Sequence, residues 1–103
     1  MRAVKGRVDE EELKSYRAMD CAVVLPLVSD YCKSDADFVP IKDSHTNRWY
    51  LVVDGRQFEL LTTGPKWFDP RVKCGGGGAV DLTIHLFGID FKQAVAMLRE
   101  VLL

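Results

Sequence analysis

The sequence lacks an apolar run long enough to span a bilayer, which takes about 20 residues. Its first residues also lack the apolar stretch of a secretory signal, so we expect a cytoplasmic protein with no membrane partner. The net charge is only −1 over 103 residues, so charge alone gives the whole chain no attraction to nucleic acid. An apolar content of 48% is too high for a disordered chain.

Paired cysteines are missing too. The three cysteines form no Cys-x-x-Cys motif, and the two histidines are His45 and His85. A structural zinc needs four ligands at tetrahedral spacing, so we expect free thiols, no metal and no other cofactor. Cys21 and Cys32 are predicted to be buried structural thiols on one helix.

A recognisable nucleophile motif is also absent, so we expect no catalytic residue and no enzyme activity. Asp81 and His85 are four residues apart on a predicted helix and have the spacing of a side-chain pair. The more ordinary role for Asp81 is to cap that helix or to tie down the glycines before it.

What the sequence does contain is a clear series of elements. Asp9 and Glu12 have the spacing of a capping box, which predicts a helix over 10–18, and Asp20 is expected to cap a second helix over 21–33. Phe38-Val39-Pro40-Ile41 is typical of an edge strand because proline cannot donate to a ladder. Asp54-Gly55-Arg56 between two β-rich runs, 49–53 and 57–61, predicts a hairpin.

The second half continues with a short strand over 66–72, interrupted by Pro70, and then four consecutive glycines. Ala79 to Phe87 is predicted to form a buried helix ended by Gly88, and Asp90 to cap an amphipathic last helix. The order predicts an α+β fold, a small antiparallel sheet flanked by N-terminal and C-terminal helices.

The glycine run is the most informative segment. Glycine is favoured where the backbone needs positive φ or a close approach, so we expect a turn there in which Gly77 tolerates no branched side chain. Backbone N–H groups at the start of the following helix, with Lys73 beside them, are suited to a phosphate. Tight packing of the turn on the sheet is the other role for the glycines, and it is the one we favour.

Three segments carry a resemblance to a known family: Gly76-Gly77, Val80-Asp81-Leu82 and Ile89-Asp90-Phe91-Lys92-Gln93-Ala94-Val95. These segments follow a predicted hairpin in the chain, and this order resembles that of the zinc-binding domain of bacterial and phage DNA primases. It is more similar to the zinc-less relatives of that domain in replication or mobilisation proteins of plasmids and integrative elements. The resemblance implies a zinc-ribbon-like domain over 20–103 without metal ligands, preceded by an N-terminal arm over 1–19. A degenerate module that still binds metal is the remaining possibility.

If zinc is absent, other groups must hold the sheet. Large aromatic side chains are the expected substitutes: Trp49, Tyr50, Phe58, Trp67 and Phe68.

The resemblance implies a non-catalytic module that binds single-stranded DNA in replication or transfer of a mobile element. A primase or polymerase, a helicase or a relaxase is the implied protein partner. Cations for phosphates and rings for bases are the mixture that single-strand sites use, and the predicted nucleic-acid-binding residues are Arg48, Trp49, Tyr50, Arg56, Lys66, Trp67, Arg71, Lys73, Gly76 and Gly77. The alternative is a protein–protein adaptor that docks one of those partners through the same aromatic and basic face.

Overall fold

The computed structural model describes residues 9–102 and has an α+β fold, as predicted. Two helices precede a five-stranded antiparallel sheet and two follow it, and the strands lie in chain order. The elements are α1 Glu10–Ala18, α2 Cys21–Val28, β1 Tyr31–Ser34, β2 Asn47–Val53, β3 Arg56–Thr63, β4 Lys66–Asp69, β5 Cys74–Gly77, α3 Ala79–Phe87 and α4 Phe91–Val101. Part of the predicted arm, residues 1–8, lies outside the described residues.

The β2–β3 hairpin is confirmed and is longer than predicted. Asp54 and Gly55 both have positive φ, 51° and 79°, which is the pattern of a type I′ turn. That turn has the twist of the strands it joins, and its register sets Leu51 opposite Phe58. The local sequence signal therefore fixes the centre of the sheet.

The second helix is shorter than predicted, and the edge strand lies elsewhere. Ser29 is extended, and the N–H of Asp30 donates to the carbonyl of Val52 at 2.8 Å. The next residues, Tyr31–Ser34, pair with β2 instead of continuing the helix, so Cys32 is on a strand and only half-buried. The predicted edge strand over 38–41 is wrong, since that segment is a loop.

The glycine run is a strand rather than a turn. Cys74–Gly77 pairs with β4, and a Cβ added at Gly75 would lie 2.9 Å from the carbonyl oxygen of Trp67. Gly78 alone in the run has positive φ, 92°. At Gly77 the φ is not positive and an added Cβ would meet nothing within 4 Å, so the predicted intolerance at Gly77 is wrong.

The core lies between one face of the sheet and the helices. Leucines from both sides are fully buried there, among them Leu25, Leu51, Leu60, Leu82 and Leu98. The predicted ends of α3 and α4 are confirmed: Gly88 is left-handed with φ 65°, and Asp90 and Gln93 form a capping box. Among residues 9–102, no helix combines the length and apolarity needed to cross a membrane.

Candidate nucleic-acid interface

The antiparallel register assigns each strand residue to one of two sheet faces. Leu51 and Leu60 point towards the helices, and their neighbours along each strand point the other way, onto what we call the open face. Among the residues predicted to bind nucleic acid, Arg48, Tyr50 and Lys66 lie on the open face. These three are therefore brought to one surface.

Three of the residues predicted to bind nucleic acid, two aromatic and one basic, lie on the opposite face of the sheet, which the helices cover. Trp67 is only 5% exposed, and Trp49 donates from Nε1 to Thr62 Oγ1 at 2.9 Å. Arg56 donates from Nη2 to the carbonyl of Leu86 at 3.0 Å, at the C-terminal end of α3. These side chains serve the packing of helices on the sheet, where cations near a helix C-terminus are favourable.

Arg71 and Lys73 lie in the turn between β4 and β5. Arg71 donates from Nη1 to the carbonyl of Gln57 at 3.0 Å, which holds it at the margin of the open face. Lys73 is exposed and has a positive φ of 54°, uncommon for a residue with a side chain. The turn is thus tied to the sheet by Arg71 and presents Lys73 to solvent.

Gly76 and Gly77 lie in β5, and their surroundings differ. A Cβ on Gly76 would meet the Trp67 ring at 3.0 Å, so Gly76 gives that ring its space. The N–H of Gly77 donates to the carboxylate of Asp81 at 3.4 Å, which confirms that Asp81 ties the glycine segment to α3. A carboxylate beside these N–H groups opposes a phosphate there.

The open face carries a repeated pattern of an aromatic and a basic residue two positions apart on one strand. It occurs on β1, β2 and β4, and in each case the intervening residue points to the core. The three triplets are Tyr31-Cys32-Lys33, Arg48-Trp49-Tyr50 and Lys66-Trp67-Phe68.

The register places the three open-face aromatics on a diagonal across the sheet. Tyr31 pairs opposite Val52, two residues from Tyr50 on β2. Phe68 pairs opposite Leu61, which itself pairs opposite Arg48, two residues beyond Tyr50 on β2. The step from Tyr31 to Tyr50 is one strand sideways and two residues along, roughly 8 Å, and the step from Tyr50 to Phe68 is two strands sideways and two residues along, roughly 12 Å. We call this diagonal the aromatic track.

The basic residues all fall on the same side of the aromatic track. Neighbouring strands run in opposite directions, and the order within the triplets reverses with them: aromatic first on β1, basic first on β2. β4 runs in the same direction as β2 and is also basic first. The result is a row of cations, Lys33, Arg48 and Lys66, beside a row of rings.

Exposure and charge differ along the track. Tyr31 is 55% exposed, Tyr50 39% and Phe68 40%, so the prediction that Tyr50 and Phe68 serve as core substitutes for zinc is wrong. Arg48 forms an ion pair with Glu59, and its guanidinium lies 5.4 Å from the Tyr50 ring centroid. Glu59 reduces the net charge at the middle of the row of cations. Lys33 and Lys66, at the two ends of that row, are exposed.

A second polar cluster lies beneath the sheet, on the helix side. His85 Nε2 lies 2.7 Å from Asp69 Oδ2, and the predicted pairing of His85 with Asp81 is wrong. The Asp69 carboxylate is almost fully buried, and its other oxygen accepts the N–H of Arg71 at 3.0 Å. The imidazole stacks on Trp67 with centroids 4.6 Å apart. The pair therefore joins β4 to α3 through a hydrogen bond and ring contact.

Metal ligands do not converge in the part of the chain that is described. Within residues 9–102 no group of three or more histidine, cysteine, aspartate or glutamate side chains is placed to hold an ion. Cys21 is buried in the core, and burial raises the pKa of its thiol to about 12, which keeps it protonated.

Comparison with known proteins does not assign the chain to a family. No protein-family model matches the chain, and no solved structure matches it. A segment of 44 residues is 36% identical to part of a protein described as "65 kDa protein" from Zymomonas mobilis subsp. mobilis. The match covers 43% of this chain and 8% of that protein, so the chain corresponds to a small part of the relative's length. That name states no activity.

Sequence reasoning missed Tyr31, Lys33 and Phe68 as members of the open face. The signal was present in the three triplets, because an aromatic and a basic residue at spacing two share a face only in a strand. The predicted helix over 21–33 concealed the first triplet, and counting Phe68 as core concealed the third.

Proposed function

We propose that the chain binds single-stranded DNA on the open face and has no catalytic role. The observation that carries the proposal is the aromatic track with its parallel row of cations. Single-strand sites pair a basic groove for the phosphates with rings for the bases. In this arrangement bases stack on Tyr31, Tyr50 and Phe68 while the backbone runs along Lys33, Arg48 and Lys66.

The spacing of the track suits an extended strand. Neighbouring rings are roughly 8 Å and 12 Å apart along the track, and in the longer step Leu61 supplies an apolar surface between Tyr50 and Phe68. The track therefore accommodates about four nucleotides, a length at the lower end of known single-strand sites. Duplex DNA keeps its bases stacked within the helix and offers these rings nothing to stack on.

The setting that we propose, replication or transfer of a mobile element, rests on the resemblance to primase zinc-binding domains. In that setting the chain holds single-stranded template beside a primase, helicase or relaxase.

Fluorescence anisotropy with a labelled oligothymidylate and the matching duplex tests the proposal. We expect the single strand to bind more tightly, with a log–log salt slope of roughly −2 for three phosphate contacts on single strands. Tyr50→Ala and Phe68→Ala are each expected to weaken binding about tenfold, because one base loses its stacking partner. Lys66→Ala should also make the salt slope shallower by about 0.7.

Matched controls come from the helical side. Phe91 is 43% exposed on α4, and Lys14 is exposed on α1, so Phe91→Ala and Lys14→Ala remove the same groups away from the open face. Equal losses in Phe91→Ala and Tyr50→Ala would refute the open face as the site. An absence of binding to single strands at low salt and micromolar protein would refute the proposal and favour the adaptor, which uses the same face for a protein.

A further inference from the structure

An apolar groove opens where the loop between β1 and β2 passes alongside the end of β3 and β4. Its volume is about 510 Å³, and its walls and floor include Val39, Pro40, Ile41, Leu61 and Phe68. Ile41 is 96% exposed and Val39 78% exposed. Clustered apolar side chains at such exposure mark a contact surface more often than isolated ones do.

The loop that forms this groove is held in place by polar contacts. Phe38 N donates to the carbonyl of Asp35 at 3.3 Å, and Asp37 N donates to the Asp35 carboxylate at 3.0 Å. At the other end the hydroxyls of Thr46 and Thr63 are 2.7 Å apart, which ties the loop to β3. These contacts fix the two ends of the loop, and residues 39–42 of the groove wall lie between them.

The charges around the groove define what it accepts. Lys42 and Lys66 are the charged residues among those that line it, and they favour carboxylates there. The Asp43 carboxylate lies next to them and partly offsets their charge: its pKa is lowered by the N–H of His45 and, to a smaller extent, by the charge of Lys66. Pro40 has no N–H, which makes the wall a poor partner for an added β-strand. Recognition must then come from side chains, with an apolar anchor in the groove and acidic groups at the rim.

We propose that this groove binds a short acidic segment of a partner protein, anchored by a leucine or an aromatic side chain. The proposal does not depend on DNA binding. The groove shares Phe68 and Lys66 with the aromatic track, whereas Ile41, Val39 and Lys42 belong to the groove alone. A bound segment and a bound DNA strand would therefore compete at Lys66.

Phage display of random short peptides on the folded chain tests this proposal. We expect enriched peptides to combine aspartate or glutamate with leucine or an aromatic residue. Synthetic versions should lose about tenfold in affinity for Ile41→Ser, as truncated anchor contacts do. They should bind weakly to Lys42→Glu, while the same peptides with lysine in place of each acid should bind that variant better.

Leu27→Ser is the matched control, since Leu27 is also exposed but lies on α2. The inference is overturned if no peptide is enriched, if the enriched peptides lack acids, or if Leu27→Ser and Ile41→Ser lose affinity equally. Tyr31→Ala separates the two proposals because it lies at the far end of the aromatic track. It should weaken DNA binding and leave peptide binding unchanged.

Discussion

Among single residues, Glu12 makes the contacts that join the first helix to the last. Arg99 donates to it from Nε and Nη2, each at 2.7 Å, and the Tyr16 hydroxyl donates at 2.7 Å. The Arg99 guanidinium, with help from Tyr16, lowers the pKa of the Glu12 carboxyl from 4.5 to about 2. The spacing of Asp9 and Glu12 predicted a capping box, but Asp9 accepts from Glu11 N and Glu12 faces Arg99.

Glu12→Gln should lower the free energy of unfolding by about 1 kcal/mol at neutral pH, a modest value because Arg99 is partly exposed to screening solvent. A carboxyl with a lowered folded pKa stabilises fully above its unfolded pKa, about 4.5, and loses that effect as the pH falls towards about 2. Urea melts at pH 7, 4 and 2.5 should therefore show the gap between wild type and variant closing with acid. Glu10→Gln, exposed in the same turn, is the control. A gap independent of pH would contradict the assignment.

The partner of His85 shows what spacing cannot predict at this scale. Asp81 is one helical turn away in sequence, yet the imidazole bonds to Asp69, sixteen residues away on β4. Side-chain pairs within one helix are always geometrically available, whereas a partner from another element depends on how the helix packs on the sheet. The spacing in the sequence suggested the pair with Asp81, and no local signal pointed to the pair with Asp69.

At the scale of elements, the glycine strand explains why the chain uses glycine at the sheet edge. β5 passes so close to β4 that a Cβ at Gly75 would contact backbone, and one at Gly76 would contact the Trp67 ring. Side-chain-free residues permit that approach. The run was predicted to need either positive φ or close approach. Close approach applies to Gly75, Gly76 and Gly78, where an added Cβ would lie 3.0 Å from the Cα of Arg17, and positive φ applies to Gly78 as well.

Gly75→Ala should destabilise the chain by about 1–2 kcal/mol, since overpacking against backbone costs about that much. Gly77→Ala in the same strand should be neutral or slightly stabilising, because its Cβ has space and alanine restricts the unfolded chain. Thermal melts of the two variants provide the comparison. Equal destabilisation would mean that β5 does not approach β4 as closely as the structure has it.

Some elements are determined by neighbouring residues in the sequence, and others by tertiary contacts. The β2–β3 hairpin, α3 and α4 were predictable because turn residues, a terminal glycine and a capping box are written in adjacent positions. The strand β1 was not, since Tyr31–Ser34 follows an apolar helix without a strong breaker. Its conformation is imposed by hydrogen bonds to β2, more than a dozen residues later.

For the molecule as a whole, the candidate interface depends on which face each residue occupies. The sequence could predict that the segment over 48–73 is rich in rings and cations. It could not predict that Trp49 and Trp67 turn inward while Tyr50 and Phe68 turn outward, because two registers of a strand differ only in which set is buried. Core and open-face residues alternate along each strand, and they can be told apart once the position of the helices is known.

A chelator should leave the melting temperature unchanged. The sheet is attached to the helices by leucine packing and by the Asp69–His85 pair, and these need no ion. Calorimetry of untagged protein with and without EDTA, together with metal analysis, measures the effect. One zinc per chain and a melt lowered by EDTA would contradict the prediction and restore the metal-binding reading of the resemblance.

The chain-order arrangement of the strands has a consequence for how fast the protein folds. Each strand pairs with its successor, so the sheet contains no crossover connection, and pairing between consecutive strands keeps the contact order low, which favours rapid folding. The bond between Glu12 and Arg99 spans 87 residues and can form only after the two ends meet. In stopped-flow experiments Glu12→Gln should therefore speed unfolding and leave the refolding rate unchanged, as expected for a contact made after the rate-limiting barrier.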